Sequence, residues 1–214
     1  LKEHLFSRTD TAIFTSATLT TNNDFEYFKA RLGIPEPKEI VTASEFDFAE
    51  QAVLFIPHIP GPRSHDYLSH ALQEIRKILT LTEGNAFLLF TSFAQMNRVY
   101  ESLCQEIPFP LLRQGDLPKN HLLEVFRETS DSVLCATSSF WQGVDVQGDA
   151  LRAVIIDKLP FLVPTEPLVA ARINWLEKEG ENSFLRYLVP EAIITLKQGL
   201  GRLIRSRQDR GILA

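Results

Sequence analysis

The chain has 214 residues, 44% of them hydrophobic, a formal net charge of −5 and two cysteines, Cys104 and Cys135. This suits one large or two small globular domains with a buried core, and the acidic balance argues against a wholly basic nucleic-acid coat protein. Two cysteines are too few for a disulfide framework, and no apolar run approaches membrane-spanning length or follows a charged start as in a signal peptide, so a reducing cytoplasm is the expected compartment. The chain opens at Leu1 rather than Met and stops inside an apolar run, and so reads as a piece of a longer polypeptide.

In chain order, "TAIFTSATL" (residues 11–19) reads as a strand leaving through small hydroxylic residues, and "DFEYFKARLG" as a short helix stopped by Gly33. A proline-rich stretch follows, with "AVLFI" as its strand candidate. From Tyr67 to Thr82, apolar residues at Leu68, Ala71, Leu72, Ile75, Ile78 and Leu79 have helical spacing. After a Gly84-Asn85 turn come the strand "AFLLF", a helix through Met96, Val99, Tyr100 and Leu103, and the strand "FPLLR". Next are the helix "NHLLEVFRE" and the strands "SVLCAT" and "RAVIID". Pro167 opens a helix to about Lys178, and a last helical region spans Glu181 to Arg205 with a break expected at Pro190. Unbroken apolar strands separated by helices predict an α/β fold: a mostly parallel sheet with helices on both faces.

In such folds ligands gather at the carboxyl ends of the strands. There "FLLF" leads into Thr91-Ser92-Phe93, "VLCAT" into "SSFWQGVDVQG", and "AVIID" into Lys158-Leu159-Pro160-Phe161. Hydroxyls, glycine-freed amides and aromatics suit phosphates and bases, while the plainer role of Ser and Thr at these places is to cap the next helix. Phe140 and Trp141 are candidates for base stacking or for packing, and Cys135, inside an apolar strand, reads as core. The histidines have no ligand pattern, so no metal site is expected.

The closing stretch "QGLGRLIRSRQDRGILA" holds Arg202, Arg205, Arg207 and Arg210 within nine positions. On a continuous helix Gln198, Arg202 and Arg205 share one face, with Ile193, Leu196, Leu200, Leu203 and Ile204 opposite. Guanidinium groups bind phosphate oxygens bidentately, so this face is either a phosphate clamp or a solvated basic surface. A dinucleotide-binding reading of "GLGRLI" fails, because Ile204 stands where the third glycine belongs and a helix precedes it.

"QGLGRLIR" resembles motif VI of superfamily 2 helicases, "FWQGVDVQG" motif V of the branch containing DinG and XPD, "LLFTSFAQM" its motif IV and "FTSATL" its motif III. "IIDKLPFLVPTEPL" resembles DinG in particular. These motifs come in the family's order, from Thr11 to the end of the chain. The resemblance implies the C-terminal, RecA-like motor domain of a DinG/XPD-type ATP-dependent DNA helicase, moving 5′ to 3′ on single-stranded DNA. Residues 1–45 would be a remnant of the first motor domain with motif III and a linker. Residues 46–214 would carry motifs IV, V and VI, with the last strand truncated.

No G-x-x-x-x-G-K-[ST] loop and no adjacent Asp-Glu pair occur in the chain. In the family both belong to the first motor domain or its insertions, as do the cysteines that hold an iron–sulfur cluster in some members. The resemblance therefore makes the N-terminal motor domain of the same polypeptide a partner that binds most of the ATP and Mg2+, and allows an iron–sulfur cluster in the parent but not on this chain. It assigns Arg202 and Arg205 to the γ-phosphate, with Arg205 the arginine finger, and has Gln198 order that face. Gly143 and Asp145 would approach the nucleotide, although Asp145 also reads as a turn residue. Thr91, Ser92, Thr137 and Ser138 would contact the DNA backbone. A non-catalytic nucleic-acid or protein interaction module with the same fold stays open beside this. A small-molecule α/β enzyme is disfavoured, since there is no G-x-S-x-G elbow.

Overall fold

The computed structural model of the chain describes residues 6–21, 23–34, 36–137, 140, 146 and 150–214. Its strands are β1 (Ala52–Leu54), β2 (Ala86–Leu89), β3 (Leu111–Arg113), β4 (Val133–Ala136), β5 (Ala153–Ile156) and β6 (Gly211–Leu213). Its α-helices are α1 (Glu26–Leu32), α2 (Phe48–Gln51), α3 (Tyr67–Leu81), α4 (Phe93–Leu103), α5 (Lys119–Glu128), α6 (Pro167–Lys178) and α7 (Val189–Leu200). The strands form one sheet in the order β1-β6-β5-β2-β4-β3, with every pairing parallel.

All residues of β2 and β4 are buried, as central strands covered on both faces must be. Leu88, Cys135 and Ile155 join one core with Leu72, Ile75 and Leu79 of α3 and Met96, Val99 and Leu103 of α4. On the other face the ring of Phe87 meets Phe126 of α5, with centroids 4.8 Å apart. Each such side chain contributes about 1.5–3 kcal/mol by leaving water, so the alternation along β2 drives both helical layers on. The expected parallel sheet with helices on both faces is what forms.

The chain divides into two compact units. One, Ser44–Pro160 with Gln198–Ala214, contains the whole described sheet. The other, Leu1–Ala43 with Phe161–Lys197, packs its helices around Val169, Leu176, Tyr187 and Leu188, with Tyr27, Leu162 and Ile173 against them. Within it the Tyr27 hydroxyl donates to the Glu191 carboxylate, and Lys197 Nζ donates to the Thr20 carbonyl at 3.0 Å.

Two expectations are corrected here. Residues 11–19 form no strand: Ile13 is 87% exposed, and Phe14 instead sets its ring against Phe28 at 5.4 Å. β propensity needs a ladder partner to be realised, and no described strand pairs with this segment. Nor does Pro190 break the last helix. A π-helical turn, Phe184–Leu188, runs straight into α7, and the Val189 amide donates to Phe184 O, five residues back. The wider turn accommodates a residue with no N–H to offer, and a ring that would otherwise crowd the preceding turn.

Candidate functional site

The carboxyl ends of β4, β2 and β5 lie side by side, since Leu89 pairs with both Ala136 and Ile156. Each strand then releases polar residues at one rim of the sheet. After β2, Thr91 and Ser92 are exposed, and Ser92 Oγ accepts the Gln95 amide at 3.3 Å as the N-cap of α4. The capping role that competes with phosphate contact is thus occupied at Ser92. After β4, Thr137 is buried, and its amide and hydroxyl donate to Gln114 Oε1 at 2.7 and 3.0 Å. Gln114 follows β3, so this amide side chain ties two strand ends together. Ser138, Trp141, Gly143 and Asp145 lie outside the described residues. Phe140 is 2% exposed with Lys119 Nζ 5.1 Å from its ring centre, so packing is its role.

After β5, beside Lys158, stand Asp157 and Tyr67, which the sequence did not single out. The Tyr67 hydroxyl lies 2.7 Å from Asp157 Oδ1 and 2.8 Å from its carbonyl oxygen. Lys158 Nζ lies 3.6 Å from Asp157 Oδ2 and 5.5 Å from the Tyr67 ring centre. Burial, with the Asp157 carboxylate beside it, pushes the Tyr67 phenol well above its usual range. "IID" could have signalled the carboxylate, but nothing local points to a tyrosine so far upstream.

The arginines do not sit on one helix face. α7 ends at Leu200, and the chain tightens into turns in which the Arg202 amide donates to Gly199 O and the Leu203 amide to Leu200 O, each at 3.2 Å. Gly199 and Gly201 are poor helix residues, by about 1 kcal/mol each relative to Ala, so the helix stops where they cluster. Gln198 therefore stands on the last turn of α7 with its Oε1 buried and no hydrogen-bond partner among the described residues, Arg202 in the turn, and Arg205 on the loop beyond. Leu203 and Ile204, at 2% and 3% exposed, anchor that loop.

What shapes the loop is Asp209, which the sequence reading did not single out. Its Oδ2 accepts the amides of Arg205 and Ser206 and its Oδ1 the Ser206 hydroxyl, all at 2.7 Å. Burial pushes this carboxyl up, but the Ser206 hydroxyl and the two amides outweigh it and hold the group below the ordinary carboxylate range. Gln51, at the end of α2 and 4% exposed, donates through Nε2 to Ser206 O at 2.8 Å and Asp209 O at 3.1 Å. Arg210 donates to Arg207 O and Asp209 O at 3.1 and 2.9 Å. An Asp four residues after an Arg was visible as spacing, whereas the reach of Gln51 was not.

Among the described residues no group of three or more His, Cys, Asp and Glu converges as metal ligands would, and no helix is long and apolar enough to cross a membrane. The chain is 42% identical over 99% of its length to the ATP-dependent DNA helicase YoaA of Escherichia coli, covering 34% of that protein. It is 33% identical over its full length to the ATP-dependent helicase DinG of Mycobacterium tuberculosis, covering 33% of that one. It thus spans about a third of the length of these relatives. A solved XPD helicase superposes with a TM-score of 0.58 over 76% of this chain and 30% of that one, at 16% identity, which shows the RecA-like fold. Residues 75–214 match the helicase C-terminal domain family. With the motif order and the parallel sheet agreeing with this match, the chain belongs to the helicase C-terminal domain family.

Proposed function

We propose that this chain is the C-terminal motor half of an ATP-dependent DNA helicase that moves 5′ to 3′ on single-stranded DNA. Residues 1–45 would be what remains of the first motor domain, and the rest of that domain is the partner that completes the nucleotide site. The observation that carries the reading is the Arg205 loop: a half-buried arginine on backbone fixed by a buried carboxylate at 2.7 Å. Loops that merely decorate a surface need no such fixing, whereas a group that must meet a phosphate does.

The residues present fit one side of a bound nucleotide. Arg205 and Arg202 offer planar, permanently charged donors to the γ-phosphate, with Arg205 the finger. Gln198, Gly143 and Asp145 complete that side. The sequence has no G-x-x-x-x-G-K-[ST] motif and no adjacent Asp-Glu pair, so phosphate cradling and Mg2+ binding would fall to the first motor domain, and this half alone would be inactive as an ATPase. Thr91, Ser92 and Ser138 would meet the DNA backbone, with the buried Thr137, held by Gln114, behind them, and contacts of this kind carry little sequence preference.

The test uses the full-length protein. Arg205→Ala should lower DNA-stimulated ATP turnover by about 10³-fold or more, the span an arginine finger supplies. Arg202→Ala should be similarly severe. Lysine should rescue neither, because a point charge cannot reproduce the planar fork. Single-stranded DNA binding should survive. An Arg205→Ala protein that lost DNA affinity but kept its turnover would make this loop a nucleic-acid surface and overturn the assignment.

A further inference from the structure

The loop from Ile204 to Arg210 belongs to no regular element, yet two buried polar side chains tie its backbone. Asp209 is 8% exposed and Gln51 is 4% exposed. Between them they satisfy two amides, one hydroxyl and two carbonyls of the loop. Gln51 itself is carried on α2, whose start is capped by Asp47 accepting the Ala49 and Glu50 amides at 3.1 and 3.3 Å. The next residue, Ala52, begins β1 in register with Gly211, so Gln51 and Asp209 are brought together by strand pairing. Gly211 is packed as tightly, since a Cβ there would lie 2.5 Å from Arg152 O.

Burying a carboxylate and a carboxamide beside one short loop is costly unless the hydrogen bonds are worth having. A loop whose only duty was to connect α7 to β6 could be built from apolar contacts and water-facing amides. Here a carboxylate accepts the amide of Arg205 itself, so the position of that residue's Cα, and with it the origin of its side chain, is set by Asp209. Gln51 fixes the other end of the same turn.

We propose that Asp209 and Gln51 are positioning residues for Arg205, acting through the loop backbone to hold the guanidinium where the transferring phosphate will be. This rests on Arg205 being the finger. A displaced finger should slow the phosphoryl step and leave ATP and DNA binding nearly intact.

In the full-length protein, Asp209→Asn and Gln51→Ala should each lower kcat of the DNA-stimulated ATPase by about tenfold to a hundredfold, the scale of a misplacement near 1 Å. KM for ATP and affinity for single-stranded DNA should stay within about threefold, since a shifted finger removes an interaction made mainly in the transition state. In an Arg205→Ala background, read under single-turnover conditions, Asp209→Asn should add less than about threefold, because residues acting as a unit are not additive. A purely structural Asp209 would instead cut activity by the same factor in both backgrounds. If Asp209→Asn does not fold, Gln51→Ala decides by the same kinetic criteria. A folded variant of either residue turning over within about twofold of the parent, or an additive loss in the Arg205→Ala background, would overturn the proposal. An Arg205→Ala protein that itself kept its turnover would instead remove the reading beneath it.

Discussion

Gly84 stands at the centre of three consecutive residues with positive φ: Glu83 at 54°, Gly84 at 75° and Asn85 at 42°. The buried Asn85 amide steadies the turn through Glu83 O at 3.1 Å and Asp131 Oδ1 at 3.2 Å, and a Cβ on Gly84 would fall 1.9 Å from Asp131 O. Gly33 has a similar φ of 71° but open space around it. Gly33→Ala should therefore cost only backbone strain, about 1–3 kcal/mol, and Gly84→Ala clearly more, measured by urea unfolding. Asp209 supports a second expectation at this scale. Its carboxyl ionises below the ordinary range when folded, so the stability it adds is fully present above about pH 4 and is lost as the pH falls further. Asp209→Asn should flatten the acid limb of the stability–pH curve in that window and leave its shape between about pH 5 and 8 unchanged.

At the scale of elements, the segment 11–19 gives the sharpest test. With no ladder partner, Ile13 and Phe14 should exchange their amide hydrogens far faster than Leu88 and Leu89 of β2, whose strand is paired on both sides. Equal protection in a monomer would mean that the segment pairs after all. The contrast also explains what could be read without coordinates. α3 was legible nearly residue by residue, because Ala71, Leu72, Ile75, Ile78 and Leu79 repeat at helical spacing and all are buried. α6 opens at Pro167 and closes at Lys178 as expected, since proline suits a first helical position. Segment 11–19 misled because strand propensity is local but strand formation is not. The end of α7 misled because periodicity continues through Leu203 and Ile204, which are buried by the loop rather than by a helix. The strand-end rim was legible as a place, but Tyr67 and Gln114 come to it, and Gln51 to the Arg205 loop at the amino ends of β1 and β6, from distant parts of the chain, with no local signal.

For the whole molecule, the expectation is of half an engine. The chain alone should hydrolyse no ATP above background, and it should bind single strands weakly, with affinity falling steeply as salt rises, as contacts mainly to phosphate require. Tight, salt-independent binding would contradict that. The sheet order carries one more consequence. β1 reaches the rest of the sheet only through β6, which lies between it and β5. During synthesis α2 and β1 leave the ribosome before β2 to β5, yet β1 has no ladder partner until residues 211–213 follow. Until then its unpaired strand edge is a hazard for aggregation in any interrupted translation product. The same delay means that a nascent chain presents a nearly complete sheet before its arginine loop is formed.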